Sequence, residues 1–113
     1  MSLQNPKMAA YRFLAEMYED AYFPDELVKK GEDILMELCQ QIEQKNPASL
    51  EQLYALTHAA TERFNDLQQE FDEQGSEIET VARDCIGTDF KAIAHAYGFD
   101  DADSEVLITT RDW

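Results

Sequence analysis

The chain is poor in basic residues. Its 113 residues include nine Lys and Arg against 24 Asp and Glu, which gives a formal net charge of −15 at pH 7. DNA, RNA and anionic membranes are bound through basic side chains that displace counterions from phosphates. We therefore expect neither a nucleic-acid partner nor a membrane partner, and we expect a surface that attracts cations.

Cysteines and long apolar runs are also scarce. The two cysteines, Cys39 and Cys85, are too few for a disulfide scaffold and too far apart for a zinc motif, so we interpret both as small buried hydrophobes. The beginning of the chain has no apolar signal segment, and no apolar run approaches the roughly 18 residues of a membrane span. These absences predict a soluble cytoplasmic protein, folded as a single domain over residues 1–113.

Only four glycines and three prolines interrupt a pattern that is helical throughout. Apolar residues recur every three or four positions, which is typical of amphipathic helices. Four long helices are predicted over residues 7–20, 25–45, 50–74 and 77–97, followed by a short one over 104–111. Four amphipathic helices joined by short loops favour an all-α fold, an antiparallel four-helix bundle with a short C-terminal helix.

Local signals mark the ends of these helices. Residues 49–52 and 76–79 both read as capping boxes, in which a Ser side chain caps the first turn of the third or the fourth helix. Gly75 and Gly98 stand where left-handed residues would end those two helices. Gly87 and Thr88 interrupt the fourth helix pattern, which predicts a local break there.

The first predicted helix is apolar on two sides. Phe13 and Met17 form a second apolar stripe, away from the stripe that contains Leu14 and Tyr18. A helix of this kind is usually central in a fold or lies at an interface. The second stripe predicts a homodimer formed through Phe13 and Met17.

The sequence contains no recognisable catalytic or metal-binding signature. It lacks a nucleophile elbow, a phosphate-binding loop, a dinucleotide fingerprint and a zinc-protease motif. The Glu-x-x-His pair of di-iron bundles is missing too, because alanines stand three residues before His58 and His95. We therefore expect no catalytic residue, no metal site, no cofactor and no enzymatic activity.

Asp89 is the most unusual position, because helical phase places it within the apolar face of the fourth helix. A buried charge is costly unless it is paired. One interpretation is structural: Asp89 either forms an ion pair or lies near a new helix start after Thr88. The candidate partners for that ion pair are Arg12, Arg63 and Arg83.

A second interpretation makes Asp89 a ligand-contacting carboxylate. In that case it would border a cavity in the bundle, together with aromatic residues such as Tyr18 and Tyr97. A weaker candidate is the polar cluster of Tyr54, His58 and Glu62, which recurs every four residues along one flank of the third helix. The plainer interpretation of this cluster is a helix flank whose polar tips reach water.

Acidic residues line the polar side of the third helix and continue in the C-terminal region. The candidate partner-binding acidic face consists of Glu62, Asp66, Glu70, Glu73, Asp100, Asp101 and Asp103. Its plain interpretation is a solvated surface that supports solubility. Its functional interpretation is a surface for a basic protein, to which binding would be fast and sensitive to salt.

Several stretches of the chain together resemble a known family. They are YRFLAEMYEDAYFP at 11–24, YALTHAATERFNDLQQEF at 54–71, GSEIETVARDCIGTDF at 75–90, AYGFDDAD at 96–103 and LITTRDW at 107–113. These stretches resemble a family of small uncharacterised bacterial proteins catalogued as a domain of unknown function. The resemblance implies a compact bacterial protein and transfers no catalytic residue.

Three functional hypotheses follow from these patterns. The leading one is a non-enzymatic acidic helical protein that binds a basic protein partner, as an immunity protein or an inhibitor of a toxin or nuclease would. The first alternative is a bundle, with or without enzymatic activity, that binds a small molecule near Asp89. The second alternative is a self-associating structural module.

Overall fold

A computed structural model describes residues 3–113, and every regular element within that range is a helix. The elements are α1 (Pro6–Ala10), α2 (Ala15–Glu19), α3 (Asp25–Lys45), α4 (Leu50–Glu73), α5 (Thr80–Ala96) and α6 (Ser104–Leu107). The predicted all-α bundle with a short C-terminal helix is confirmed. One detail differs, because the first of the four predicted helices is divided into α1 and α2.

Helices α3 and α4 form the hairpin at the centre of the bundle. The predicted bounds of α3 are confirmed: it begins after Pro24 and ends at Asn46, whose backbone is left-handed with φ 49°. The predicted cap of α4 is also present, since the Ser49 hydroxyl accepts a hydrogen bond of 3.3 Å from the Gln52 N–H. A connection this short makes the two helices antiparallel neighbours.

Glycines end α4 and α5 as predicted. Gly75 and Gly98 have φ values of 79° and 89°. After each glycine, the next amide reaches back to the final turn: Ser76 N–H to the Phe71 carbonyl at 2.9 Å, and Phe99 N–H to the Ala94 carbonyl at 2.8 Å. These are the bonds of a Schellman motif, which satisfies carbonyls that the helix end leaves open.

The second predicted capping box is wrong. Ser76 completes the end of α4 and is buried, so its side chain is not available to cap the next helix. Helix α5 begins at Thr80, after Glu79. The predicted break at Gly87 and Thr88 is also wrong, because α5 continues through both residues. Helix α6 is shorter than predicted and ends at Leu107.

The N-terminal region departs most from the prediction. Helices α1 and α2 are separated at Leu14, which has a left-handed backbone with φ 56° and ψ 32°. Phe13 and Met17 are 2% and 1% exposed, and both belong to the core of the same chain. The second apolar stripe is therefore central in the fold, which is one of the two positions that its pattern predicted, and these two side chains do not lie at the surface where a dimer would need them.

Aromatic and aliphatic side chains from all the helices form one core. Phe64 of α4 lies between Phe90 of α5 and Trp113, with ring centroids 6.1 Å from each. Cys39 and Cys85 are free thiols within this core, as predicted. Burial raises the pKa of Cys39 to about 12 and that of Cys85 to about 11, so neither thiol is a ready nucleophile at neutral pH.

Among residues 3–113, each helix is either too short or too polar to cross a bilayer.

Candidate functional site

Asp89 is buried, with 4% of its surface exposed, and it connects α5 to the break between α1 and α2. One carboxylate oxygen, Oδ2, accepts a hydrogen bond of 2.7 Å from the backbone N–H of Leu14. The other, Oδ1, accepts one of 2.6 Å from the hydroxyl of Tyr11. Both oxygens are therefore engaged by the N-terminal region of the chain.

No lysine or arginine forms an ion pair with Asp89 in the part of the chain that the structure describes. The predicted ion pair with Arg12, Arg63 or Arg83 is therefore wrong. Burial raises the pKa of Asp89, and the bonds from Tyr11 and Leu14 act in the opposite direction because they favour the carboxylate. Burial and the neighbouring carboxylate also raise the pKa of Tyr11. The environment of Asp89 is thus one of hydrogen bonds without a compensating charge.

The three residues of the predicted pocket lie in three different environments. Asp89 borders a small cavity of about 180 Å³ whose walls include Arg12 and Glu16. The Tyr18 hydroxyl instead donates to Glu32 at 2.6 Å, between α2 and α3.

Tyr97 follows α5 and reaches toward α3. Its hydroxyl donates to Glu43 at 2.5 Å. Glu43 also accepts hydrogen bonds from the backbone amides of Gln4 and Asn5, at 3.0 and 3.1 Å. The structure therefore does not bring Asp89, Tyr18 and Tyr97 together. Glu43 joins the beginning of the chain to α3, and nothing in its local sequence indicated this.

Two members of the predicted polar cluster bind the C-terminal segment, residues 103–113. The rings of Tyr54 and His58 stack with centroids 6.1 Å apart and an interplanar angle of 9°. The Tyr54 hydroxyl accepts a bond of 3.1 Å from the Asp103 N–H, and His58 Nε2 lies 2.7 Å from the Val106 carbonyl. Since a carbonyl only accepts, Nε2 carries the proton. Glu62 is exposed and takes no part in these bonds.

Two further side chains of α4 extend this row. The Thr61 hydroxyl donates mainly to the Thr57 carbonyl of its own helix, at 2.8 Å, and lies 3.3 Å from the Leu107 carbonyl. Asn65 uses both ends of its amide: Nδ2 donates to the Thr110 carbonyl at 3.0 Å, and Oδ1 accepts from the Asp112 N–H at 2.8 Å. The four residues Tyr54, His58, Thr61 and Asn65, here called the α4 polar row, hold the C-terminal segment along the helix. The helical spacing of Tyr54 and His58 was visible in the sequence, and the contact of the row with the C-terminal segment was not.

The predicted acidic face follows the adjacent side of α4. Of its seven residues, Glu70 is half-buried and the other six, Glu62, Asp66, Glu73, Asp100, Asp101 and Asp103, are exposed. Because Asp103 N–H is bound to Tyr54, the loop acids lie at the Tyr54 end of α4. At 1.5 Å per residue, α4 extends about 28 Å from Tyr54 to Glu73. The acids thus line one long side of the helix and do not converge on a single point.

Few of these charges are compensated. Glu70 pairs with Lys30, and Asp100 lies 3.0 Å from His95 Nδ1. The Asp103 carboxylate accepts a hydrogen bond from the Glu105 N–H at 2.8 Å and so caps α6. Within residues 3–113, lysine and arginine pair with only four acids: Asp33, Glu37, Glu70 and Glu105. Most of the carboxylates are therefore in contact with solvent alone.

Between residues 3 and 113, His, Cys, Asp and Glu side chains form no group of three or more that could hold a metal ion.

A family model described as "Family of unknown function (DUF5713)" matches residues 7–113, which is nearly the whole chain. The chain belongs to this family. The resemblance seen in the sequence is thereby confirmed. No curated protein and no solved structure matches the chain. Membership of the family assigns neither a partner nor an activity.

Proposed function

We propose that this chain is a non-enzymatic protein that binds a basic protein partner through the acidic face of α4 and the neighbouring loop. The observation that carries the proposal is the row of exposed carboxylates, including Glu62, Asp66 and Glu73, which have no cation of their own. An immunity protein or an inhibitor that covers the basic surface of a toxin or nuclease is the form of this function that we would test first.

The face is held in a defined shape. Its helical part belongs to the central hairpin, and its loop part is held by the bond between Asp103 N–H and the Tyr54 hydroxyl. Ordered charges lose less conformational freedom on binding than mobile ones. A net charge of −15 also steers a cationic partner toward the chain during diffusion. Together these features favour fast association whose rate falls as salt rises.

The two alternative functions have less support. A small-molecule pocket centred on Asp89 would require a free carboxylate, and both of its oxygens accept hydrogen bonds from Tyr11 and Leu14. Self-association through Phe13 and Met17 would require these side chains at the surface, and they lie in the core.

The experiment compares three forms of the protein as baits in lysate from the native source. The first is the wild type. The second is the triple variant Glu62→Gln, Asp66→Asn, Glu73→Gln on the acidic face. The third, a matched control, is Glu19→Gln, Glu26→Gln, Glu77→Gln, which changes the net charge equally at exposed acids elsewhere. Proteins bound at about 0.05 M salt and at 0.5 M salt are identified by mass spectrometry.

We expect the wild type and the control to retain the same basic protein at low salt, and the face variant to lose it. For the purified pair, the association rate should fall at least tenfold in the face variant. Equal losses in both variants would indicate a general charge effect and contradict the proposed face. Failure of the wild type to retain any basic protein at either salt concentration would contradict the function itself.

A further inference from the structure

An open groove lies between α5 and the C-terminal segment. Its volume is about 700 Å³. Sites for small molecules commonly measure 300–1,000 Å³. Arg83, Lys91 and His95 of α5 contribute to one wall, and Arg111 contributes to the other. The groove adjoins the loop end of the acidic face, because Asp100 lies 3.0 Å from His95 Nδ1. None of the residues that line the groove belongs to that face.

The charge of this groove is opposite to that of the whole chain. Its walls contain three of the nine lysines and arginines and only two acids, Asp84 and Glu105. The balance of lysines and arginines against acids in the lining is therefore positive. In contrast, acids outnumber bases in the cavity at Asp89, in the cavity between α3 and α4, and in the cavity at Glu43.

The three cations also differ from the others in exposure. Arg83, Lys91 and Arg111 are half-buried, whereas the other six lysines and arginines, Lys7, Arg12, Lys29, Lys30, Lys45 and Arg63, are all exposed. Removing a cation from water costs free energy unless an anion or hydrogen-bond acceptors compensate for it. Each of the three cations has a hydrogen-bond acceptor in the protein, and a bound anion would add the charge compensation that carbonyl groups do not supply.

Contacts with the backbone hold the cationic side chains in place. Lys91 Nζ donates to the Ala102 carbonyl, and Arg83 Nε donates to the Trp113 carbonyl at 3.1 Å. The bond from Arg83 leaves its two terminal nitrogens for a ligand. Arg111 donates to the Ile108 carbonyl at 3.5 Å and lies 3.7 Å from Glu105. Side chains that are positioned in advance lose less conformational entropy when a ligand binds.

We propose that this groove binds a small phosphate monoester. A phosphate group carries nearly two negative charges and three strong acceptor oxygens, which matches two guanidinium groups and one ammonium group. The hydroxyls of Thr88 and Ser104 line the same groove and add donors. Ala92 and Ile108 supply apolar surface for the organic part of the ligand. At physiological salt the Debye length is about 8 Å, so acids on the far side of the molecule are largely screened. Asp84 and Glu105 in the groove offset two of its three lysine and arginine charges and leave a positive balance.

The test is a titration of ¹⁵N-labelled protein with glycerol phosphate and with inorganic phosphate. Binding is measured from the changes in backbone amide chemical shifts. Acetate and glycerol serve as control ligands, and chloride keeps the ionic strength constant. We expect saturable shifts within residues 83–95 and 104–111 for both phosphate probes. We expect none that saturate in the same concentration range for acetate or glycerol.

Two variants and one matched control test the cations. Arg83→Gln with Arg111→Gln should weaken binding of glycerol phosphate at least tenfold. Lys29→Gln with Arg63→Gln, which removes the same charge from exposed positions, should change it less than twofold. Thr88 is an exposed residue of the groove whose side chain makes no hydrogen bond in the structure. Thr88→Glu places a negative charge there and should also weaken binding of glycerol phosphate at least tenfold.

Three results would overturn the proposal. The first is the absence of saturable shifts with either phosphate probe, and the second is an equal loss of affinity in the control variant. The third is binding of acetate as tight as that of the phosphates, which would assign the groove to carboxylates. If Arg83→Gln with Arg111→Gln fails to fold by circular dichroism, Thr88→Glu decides, and unchanged affinity in that variant would also overturn the proposal.

Discussion

The backbone N–H of Leu14 donates a hydrogen bond of 2.7 Å to the carboxylate of Asp89, 75 residues later in the chain. Leu14 has a left-handed backbone, which is costly for a side chain of this kind. Because Leu14 lies between α1 and α2, its backbone N–H has no acceptor within a helix. The carboxylate of Asp89, in α5, accepts that hydrogen bond instead. The buried carboxylate of Asp89 and the left-handed backbone of Leu14 therefore depend on each other.

We expect Asp89→Ala to destabilise the protein by about 1–3 kcal/mol, because it leaves the buried Leu14 amide without an acceptor. Asp89→Asn keeps an acceptor oxygen and removes the buried charge, so it should cost less than Asp89→Ala. Urea unfolding followed by circular dichroism measures both. Asp84→Ala, at an exposed position of the same helix, is the control and should change stability by less than about 0.5 kcal/mol. Equal losses for Ala and Asn at position 89 would contradict this role.

The raised pKa of Asp89 predicts a specific dependence on pH. Burial raises this pKa above its ordinary value of 3.8, so between the two values the folded state holds more protons than the unfolded state. Stability contributed by Asp89 is therefore complete below pH 3.8 and is lost as the pH rises through the folded pKa. Unfolding free energies of the wild type and of Asp89→Asn, measured from pH 3 to 7, should show the wild type losing stability relative to the variant. A constant or increasing difference would contradict the raised pKa.

Local signals were sufficient for most of the helix ends and insufficient for the N-terminal break. Prolines and glycines mark the ends of α3, α4 and α5, because their conformational limits act wherever they occur in a chain. Residues 11–14 contain neither proline nor glycine, so their sequence alone favours a continuous helix. The break at Leu14 depends on a hydrogen bond from α5 and on packing against α3. Both are tertiary contacts that periodicity does not encode.

Gly31 of α3 provides the other side of the packing around Leu14. A Cβ atom at position 31 would lie 2.8 Å from Leu14 Cδ1 and 3.1 Å from Phe64 Cε1, and both of these side chains are buried. We expect Gly31→Ala to destabilise the protein by about 1–2 kcal/mol, because overpacking exceeds the gain in helix propensity.

Gly87→Ala is the matched control for this substitution. It also lies within a helix, and its nearest new contact would be Ile108 Cδ1 at an ordinary 3.6 Å. It should stabilise the protein by about 0.5–1 kcal/mol. Thermal unfolding of both variants gives the comparison. If Gly31→Ala were as stabilising as Gly87→Ala, the close approach of Leu14 to α3 would be incorrect.

The polar cluster on α4 was predictable in part. Tyr54 and His58 stood out because of their spacing, and the plain interpretation assigned their polar tips to water. In the structure, these polar tips instead form hydrogen bonds with backbone groups of the C-terminal segment. Sequence reasoning missed this because the partners are backbone groups, which every residue possesses and which leave no mark in the amino-acid pattern. The hydrogen bonds of Thr61 and Asn65, which lie beside this cluster, were missed for the same reason.

Asn65 is the member of the α4 polar row that makes two bonds to the C-terminal segment, and its loss should release the end of that segment. Asn65→Ala removes the acceptor of Asp112 N–H and the donor to the Thr110 carbonyl, at an expected cost of about 1–3 kcal/mol. Trp113, the single tryptophan, is 6% exposed and packs against Phe64, so it reports on this release.

We expect the fluorescence of Trp113 in Asn65→Ala to shift to longer wavelength in the folded protein, since its ring gains contact with water. Amide hydrogen exchange should accelerate within residues 108–113 and remain unchanged in α3. Gln69→Ala, at an exposed position one turn further along α4, is the control and should change neither signal. An unshifted emission maximum together with unchanged exchange would show that the apolar contacts of Trp113 hold the segment without Asn65.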